Sequence, residues 1–168
     1  MERMTKFRGF CHSEDKWVYG YLVAEEEGWD VIKSMDDGLM YSVAPASVGA
    51  YIGYKDRKQR NIYEKDILSM KLSVNYKSVY AIVLWHGTGW GVKWDKETAA
   101  VRKEQDIVDL PLNLRQLSGN PWSVVANTYE NPDFLVAIEV MVRLGGQRDI
   151  TDRIIAQAYA ADTYHAGI

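Results

Sequence analysis

Short runs of β-forming residues separated by turn signals fill most of this chain. That alternation limits what it can fold into. Residues 17–23 (Trp-Val-Tyr-Gly-Tyr-Leu-Val) are followed by the acidic break Glu25-Glu26-Glu27-Gly28 and then by Trp29-Asp30-Val31-Ile32-Lys33, which predicts a hairpin with an acidic tip. Asp36-Asp37-Gly38 marks a second turn before a strand over 39–43. Residues 48–54 read as a strand, 55–61 as a basic turn, and 62–68 as a tight segment and a further strand. The run Val79-Tyr80-Ala81-Ile82-Val83-Leu84-Trp85 is apolar on both faces and belongs in the middle of a sheet. His86-Gly87-Thr88-Gly89 turns the chain back, which sets Trp85 beside Trp90 as a cross-strand pair. Residues 122–129 give the last strand. The polar stretch 95–121, with Pro111 and Pro121, reads in part as a long loop or a short helix near Glu97–Glu104.

The tail differs in kind. Asn131-Pro132-Asp133 has the composition of a helix start: an Asn cap, Pro at the first helical position and an acid in the first turn. A first helix is expected over 132–144, to the Gly145-Gly146 stop. A second follows, in which Ile150, Ile154, Ile155, Ala158 and Tyr159 recur at helical spacing. The fold expectation is therefore mostly β, with small twisted, barrel-like sheets over 1–131 and a C-terminal helical segment over 132–168. An apolar stripe such as Ile150–Tyr159 needs a cover, so these residues are the candidate oligomer interface.

At 168 residues with 47% apolar and 26% charged residues, the chain can bury a core without staples. The single Cys11 excludes an internal disulfide framework and fits a reducing compartment. Met1–Lys6 is charged with no apolar run behind it, and no stretch approaches the ~20 apolar residues of a membrane span. A cytoplasmic protein without a membrane partner is expected. Twenty bases against 23 acids leave a formal charge of −3, so no global attraction to nucleic acid follows.

Local charge is less even. Between Glu25 and Asp37 there are six acids and one base, Lys33. The turn at 55–61 reverses that sign, with Lys55, Arg57, Lys58 and Arg60 beside Tyr51, Tyr54 and Tyr63. Cations to hold phosphates and aromatic rings to stack on bases are the means by which single strands are bound. Lys55, Arg57, Lys58, Arg60 and Tyr54 are thus the candidate nucleic-acid contacts, against the plainer reading of a solvated turn. The acidic segment offers a complement to the same turn on a neighbouring subunit.

Signals for chemistry are weaker. His86-Gly87-Thr88-Gly89-Trp90-Gly91 carries Gly-x-Gly-x-Gly, but a strand and not a helix follows, so it reads as a hairpin and not a phosphate cradle. Cys11, His12, His86 and His165 are too few and too scattered for a zinc site. Glu64 and Asp66 would share one face of a strand and could hold a metal for hydrolysis. The alternative is that they satisfy backbone donors at a turn. No catalytic residue, metal or cofactor is assigned.

Three blocks in order resemble the YopX family of phage and prophage proteins: Lys6-Phe7-Arg8-Gly9-Phe10 with Trp17-Val18-Tyr19-Gly20; Tyr51-Ile52-Gly53-Tyr54-Lys55-Asp56 with Ile62-Tyr63-Glu64-Lys65-Asp66-Ile67; and Val124-Val125-Ala126-Asn127-Thr128-Tyr129-Glu130-Asn131-Pro132-Asp133. The resemblance spans about 5–135. Gln59, Lys65 and Ala126 stand where that family usually has Gly, which bears on turn geometry because glycine there commonly supplies positive φ or close backbone approach. The resemblance implies a β-rich phage-encoded domain that self-associates in the bacterial host cell. It brings no catalytic residues. Two functions are carried forward: an accessory protein acting by binding or self-assembly as a homo-oligomer, and a nucleic-acid-binding module using the 55–60 turn.

Overall fold

The computed structural model describes residues 4–71, 78–95, 107–115, 119–134 and 136. The chain divides into two compact units, Met1–Gly53 and Tyr54–Ile168.

In the first unit, strands β1 (Phe7–Cys11), β2 (Lys16–Glu26), β3 (Trp29–Ser34) and β4 (Met40–Val43) form an antiparallel meander. A short 3₁₀ turn, Pro45–Ser47, leads to β5 (Gly49–Lys55), which lies on the other side of β1. The core is Cys11, Val18, Ile32 and Val43, with Phe7, Leu22, Tyr41 and Val48 packed against it. These residues sit at alternate positions of their strands, so one face is apolar and in register. The acidic tip lies where the sequence puts it, with Glu26 opposite Trp29.

The sheet curls until β4 reaches β1. A Cβ on Gly9 would fall 2.6 Å from Val43 Cγ2, so only glycine allows this approach. The Ala44 N–H donates to Phe10 O at 2.9 Å, and Ser47 Oγ accepts from Phe10 N at 2.7 Å while donating to Ala44 O at 2.6 Å.

In the second unit, β6 (Asn61–Tyr63), β7 (Asp66–Lys71), β8 (Ser78–His86), β9 (Gly89–Trp94), β10 (Ile107–Asp109) and β11 (Ser123–Asn127) follow in order. Five of them form an antiparallel sheet in the order β10-β9-β8-β7-β11. The doubly apolar run 79–85 is central, as expected. Trp85 and Trp90 are register partners with ring centroids 5.0 Å apart, edge to face. Ile67, Tyr80, Ala126 and Phe134 make one buried cluster, with the Tyr80 and Phe134 rings 5.4 Å apart. Trp94 and Trp122, both buried, lie 5.8 Å apart.

Three expectations need correction. The sheets are open, not barrel-like. The larger runs β4-β3-β2-β1-β5-β6, and β4 and β6 do not pair. Val43 of the four-residue β4 packs against Gly9 of β1, and just past β4 the Ala44 N–H and Ser47 Oγ bond Phe10, but β4 and β1 are not neighbours in the sheet. Second, 62–68 is two strands, because the chain turns at Glu64-Lys65 with Lys65 at φ 72. Glu64 and Asp66 therefore do not alternate along one strand. Third, the described residues give no support to a helical segment over 132–168. Phe134 enters the core of the second unit, its N–H donating to Asn131 O. Ile150, Ile154, Ile155, Ala158 and Tyr159 lie outside the described residues, as does the helix read near Glu97–Glu104.

Candidate functional site

The basic turn between β5 and β6 is built around an acid. Asp56 is buried, and its carboxylate collects the turn: Oδ1 accepts from Lys58 N at 2.8 Å and Arg60 N at 3.0 Å. Oδ2 accepts from Arg60 Nε at 2.8 Å and Val124 N at 3.1 Å, with Arg60 Nη2 at 2.6 Å. An Asp directly after a strand, bonding backbone N–H groups two and four residues on, is the Asx-type device that stabilises tight turns. Asp56 N donating to Arg60 O and Gln59 N donating to Asp56 O close the loop. Gln59 takes φ 63 to do so, a left-handed backbone without glycine.

The turn is also bolted to β11. Arg57 N donates to Trp122 O at 2.8 Å and Arg60 Nη2 to Val124 O at 2.6 Å. β11 is the edge of its sheet, and these bonds occupy backbone groups that an open edge would present. Asn120 fixes the approach: Nδ2 donates to Lys55 O and Leu114 O, and Oδ1 accepts from Trp122 N. Trp122 Nε1 donates to Asn113 Oδ1 at 2.9 Å.

The candidate contacts therefore separate. Lys55, Arg57 and Lys58 are exposed, and Tyr54 is half-buried beside them. Arg60, its side chain only 17% exposed, has its guanidinium between Asp56 and Val124 O. It braces the turn, and three cations face outward where the sequence counted four. Sequence reading missed Asp56, Asn120 and Asn113. The one local signal was an Asp following a strand and preceding a charged turn.

Of the two carboxylates considered for chemistry, Glu64 and Asp66, the second is bound into the backbone. Asp66 Oδ2 accepts the Tyr63 N–H at 2.8 Å across the Glu64-Lys65 turn. Asp95 Oδ2 accepts the Tyr80 N–H at 3.0 Å. In the third block of the resemblance, Asn127 and Glu130 bond reciprocally, Nδ2 to Oε2 and the Glu130 N–H to Oδ1, each at 2.9 Å. Cys11 is buried in the core of the first unit with Sγ 3.3 Å from Ser13 Oγ, while His12 is exposed and edge-on to Phe10. Among the described residues no group of three or more His, Cys, Asp or Glu could hold a metal ion, and no helix is long and apolar enough to cross a membrane.

A second polar cluster lies on the first unit. Lys16 Nζ donates to Tyr41 Oη at 3.1 Å and sits 4.3 Å from that ring's centroid, and Tyr41 Oη donates to Asp37 Oδ2 at 2.6 Å. The Tyr41 hydroxyl, with the Leu39 N–H on Oδ1, holds the Asp37 carboxyl below its ordinary value. The same Tyr41 bond holds the Lys16 ammonium above its own.

Comparison with known proteins gives a family and a distant structural likeness. Residues 6–136 match the family model described as YopX protein. The crystal structure of protein EF1440 from Enterococcus faecalis is similar at 15% identity and a TM-score of 0.48, over 80% of this chain and 99% of that chain. No curated protein matches the chain.

Proposed function

The chain belongs to the YopX family, and from that premise we propose that it is a phage or prophage accessory protein. It acts in the host cytoplasm by binding, as a homo-oligomer, and not by catalysis. The observation that carries this reading is the separation of exposed charge. Glu25 near the end of β2 and Glu27, Asp36 and Asp37 on turns are exposed in the first unit, and Lys55, Arg57 and Lys58 stand at a braced turn of the second. Opposite patches on one chain attract between copies, steer encounter and fix register, while a net charge of only −3 opposes association weakly. The buried acids Asp56, Asp66 and Asp95 support it further, since each holds main-chain donors. The tail stripe Ile150–Tyr159 belongs to the same proposal as a second surface between copies.

Light scattering over a concentration series at low and high salt tests it. Self-association raises the mass above 19.2 kDa at low salt and weakens as salt rises. A monomer at every concentration and salt overturns it.

A second reading is favoured by the outward cations Lys55, Arg57 and Lys58 beside Tyr54: weak binding of single-stranded nucleic acid. With Arg60 withdrawn, about three phosphates would be neutralised, giving a log–log salt slope near −2. Fluorescence anisotropy with short single- and double-stranded probes tests this, and no binding at low salt ends it.

A further inference from the structure

The turn joining β3 to β4 presents apolar side chains on a rigid frame. Met35, Leu39 and Met40 are 37, 59 and 67% exposed, and all three lie between Ser34 and Tyr41. A flexible loop would shield such residues by collapsing, and this one is held open. Ser34 N donates to Leu39 O at 2.8 Å and Gly38 N to Ser34 O at 3.1 Å. Asp36 N donates to Ser34 Oγ, Leu39 N to Asp37 Oδ1, and Met35 N to Tyr19 O. The Lys16–Tyr41–Asp37 chain ties the turn to the start of β2. Little ordering is left for binding to cost, which is the condition under which a small apolar patch gives useful affinity.

We infer that this turn is a docking surface for the 54–58 turn of a second copy, with Met35, Leu39 and Met40 as the apolar anchor and Asp36 and Asp37 as the charged rim. The inference rests on the self-association reading above and assigns it a surface. Complementarity selects the occupant. The opposing turn carries exposed Lys55, Arg57 and Lys58, whose methylene stems can cover methionine and leucine while their heads meet the two aspartates. Tyr54 adds an aromatic ring, and methionine is the side chain that adapts best to such contacts. Asp56 and the β11 bonds hold that turn as firmly as the acidic one is held. Each copy carries both halves, so the contact joins the acidic turn of one copy to the basic turn of another.

Two measurements on the full chain test it. The first compares the mass of wild type with that of Leu39→Ser/Met40→Ser, which removes apolar surface without changing charge. Association is expected to weaken about 100-fold or more, with the far-ultraviolet dichroism retained. The second mixes copies carrying Leu39→Cys with copies carrying Lys58→Cys under oxidation. The native Cys11 is buried, and the expected product is the mixed disulfide. If wild type associates but the double variant associates equally, or Leu39→Cys fails to join Lys58→Cys, this surface is wrong and the self-association reading stands. If wild type stays monomeric, both fall, and the patch belongs to a different protein.

Discussion

Asp56 and Val124 are 68 residues apart in the chain, and one hydrogen bond of 3.1 Å joins the carboxylate of the first to the amide of the second. Arg60 completes the link by bonding both Asp56 Oδ2 and Val124 O. A carboxylate that accepts from Lys58, Arg60 and Val124 cannot be replaced without leaving several donors unmet. Asp56→Ala is expected to destabilise the protein by about 3–5 kcal/mol, because it strands the Arg60 guanidinium and frees the turn from β11. Urea unfolding checks this, and a change within about 0.5 kcal/mol would show that the network is not a stabilising one.

How much of this was legible in the sequence depended on range. The Glu27-Gly28 tip, the central β8 and the Trp85–Trp90 pair follow from neighbours in sequence, and all three appear where expected. The role of Asp56 does not, because Val124 and Arg60 share it across a fold that local pattern cannot see. Arg60 illustrates the consequence: by composition it is one more cation of a basic turn, and in space it is a brace. The break at Glu64-Lys65 is signalled by the resemblance, which puts glycine at Lys65, and not by the residue itself, since a lysine in a left-handed backbone gives no turn signal of its own. Leu110 and Leu114, both buried, sit in a stretch whose polarity read as loop.

Gln59 and Lys65 hold φ of 63 and 72, conformations that cost a non-glycine residue about 1 kcal/mol or more. Gln59 is exposed, so replacing it removes no core packing. Gln59→Gly relieves the strain but adds freedom to the unfolded chain. The net expectation is a gain of up to about 1 kcal/mol, read as a rise in melting temperature. Gln59→Val, β-branched at positive φ, should fall by at least as much. A loss for Gln59→Gly would mean that its side chain contributes something the turn needs.

Gly20 is the least replaceable glycine of the first unit. A Cβ there would overlap the Lys33 carbonyl oxygen on β3, and Ser34 Cα lies 3.1 Å away. Gly20 and Ser34 are register partners, so the clash falls on the ladder itself. Gly20→Ala is expected to cost about 1–3 kcal/mol and to loosen the β2–β3 pairing. Amide hydrogen exchange of residues 20–22 and 32–34 would rise selectively, and unchanged protection there would contradict the close approach.

Strong acid should weaken the turn at Asp37. The Tyr41 hydroxyl and then the Leu39 N–H favour the ionised carboxylate, so its pKa is lower folded than unfolded. With that sign, the folded state binds fewer protons. The contribution is fully present above the ordinary aspartate value of about 3.9 and is lost as pH falls through the lowered folded value. Asp37→Asn removes the charge at every pH, so the variant should be less stable than wild type at pH 6 and should approach it as the pH drops below 4. Because Asp37 also holds Tyr41 and, through it, Lys16, the backbone amides of Gly38 and Leu39 should report the same transition by NMR. A stability gap that stays constant from pH 6 down to strong acid would mean that the carboxylate's charge plays no part in holding the turn, and the rigid frame under Met35, Leu39 and Met40 would then rest on the backbone bonds alone.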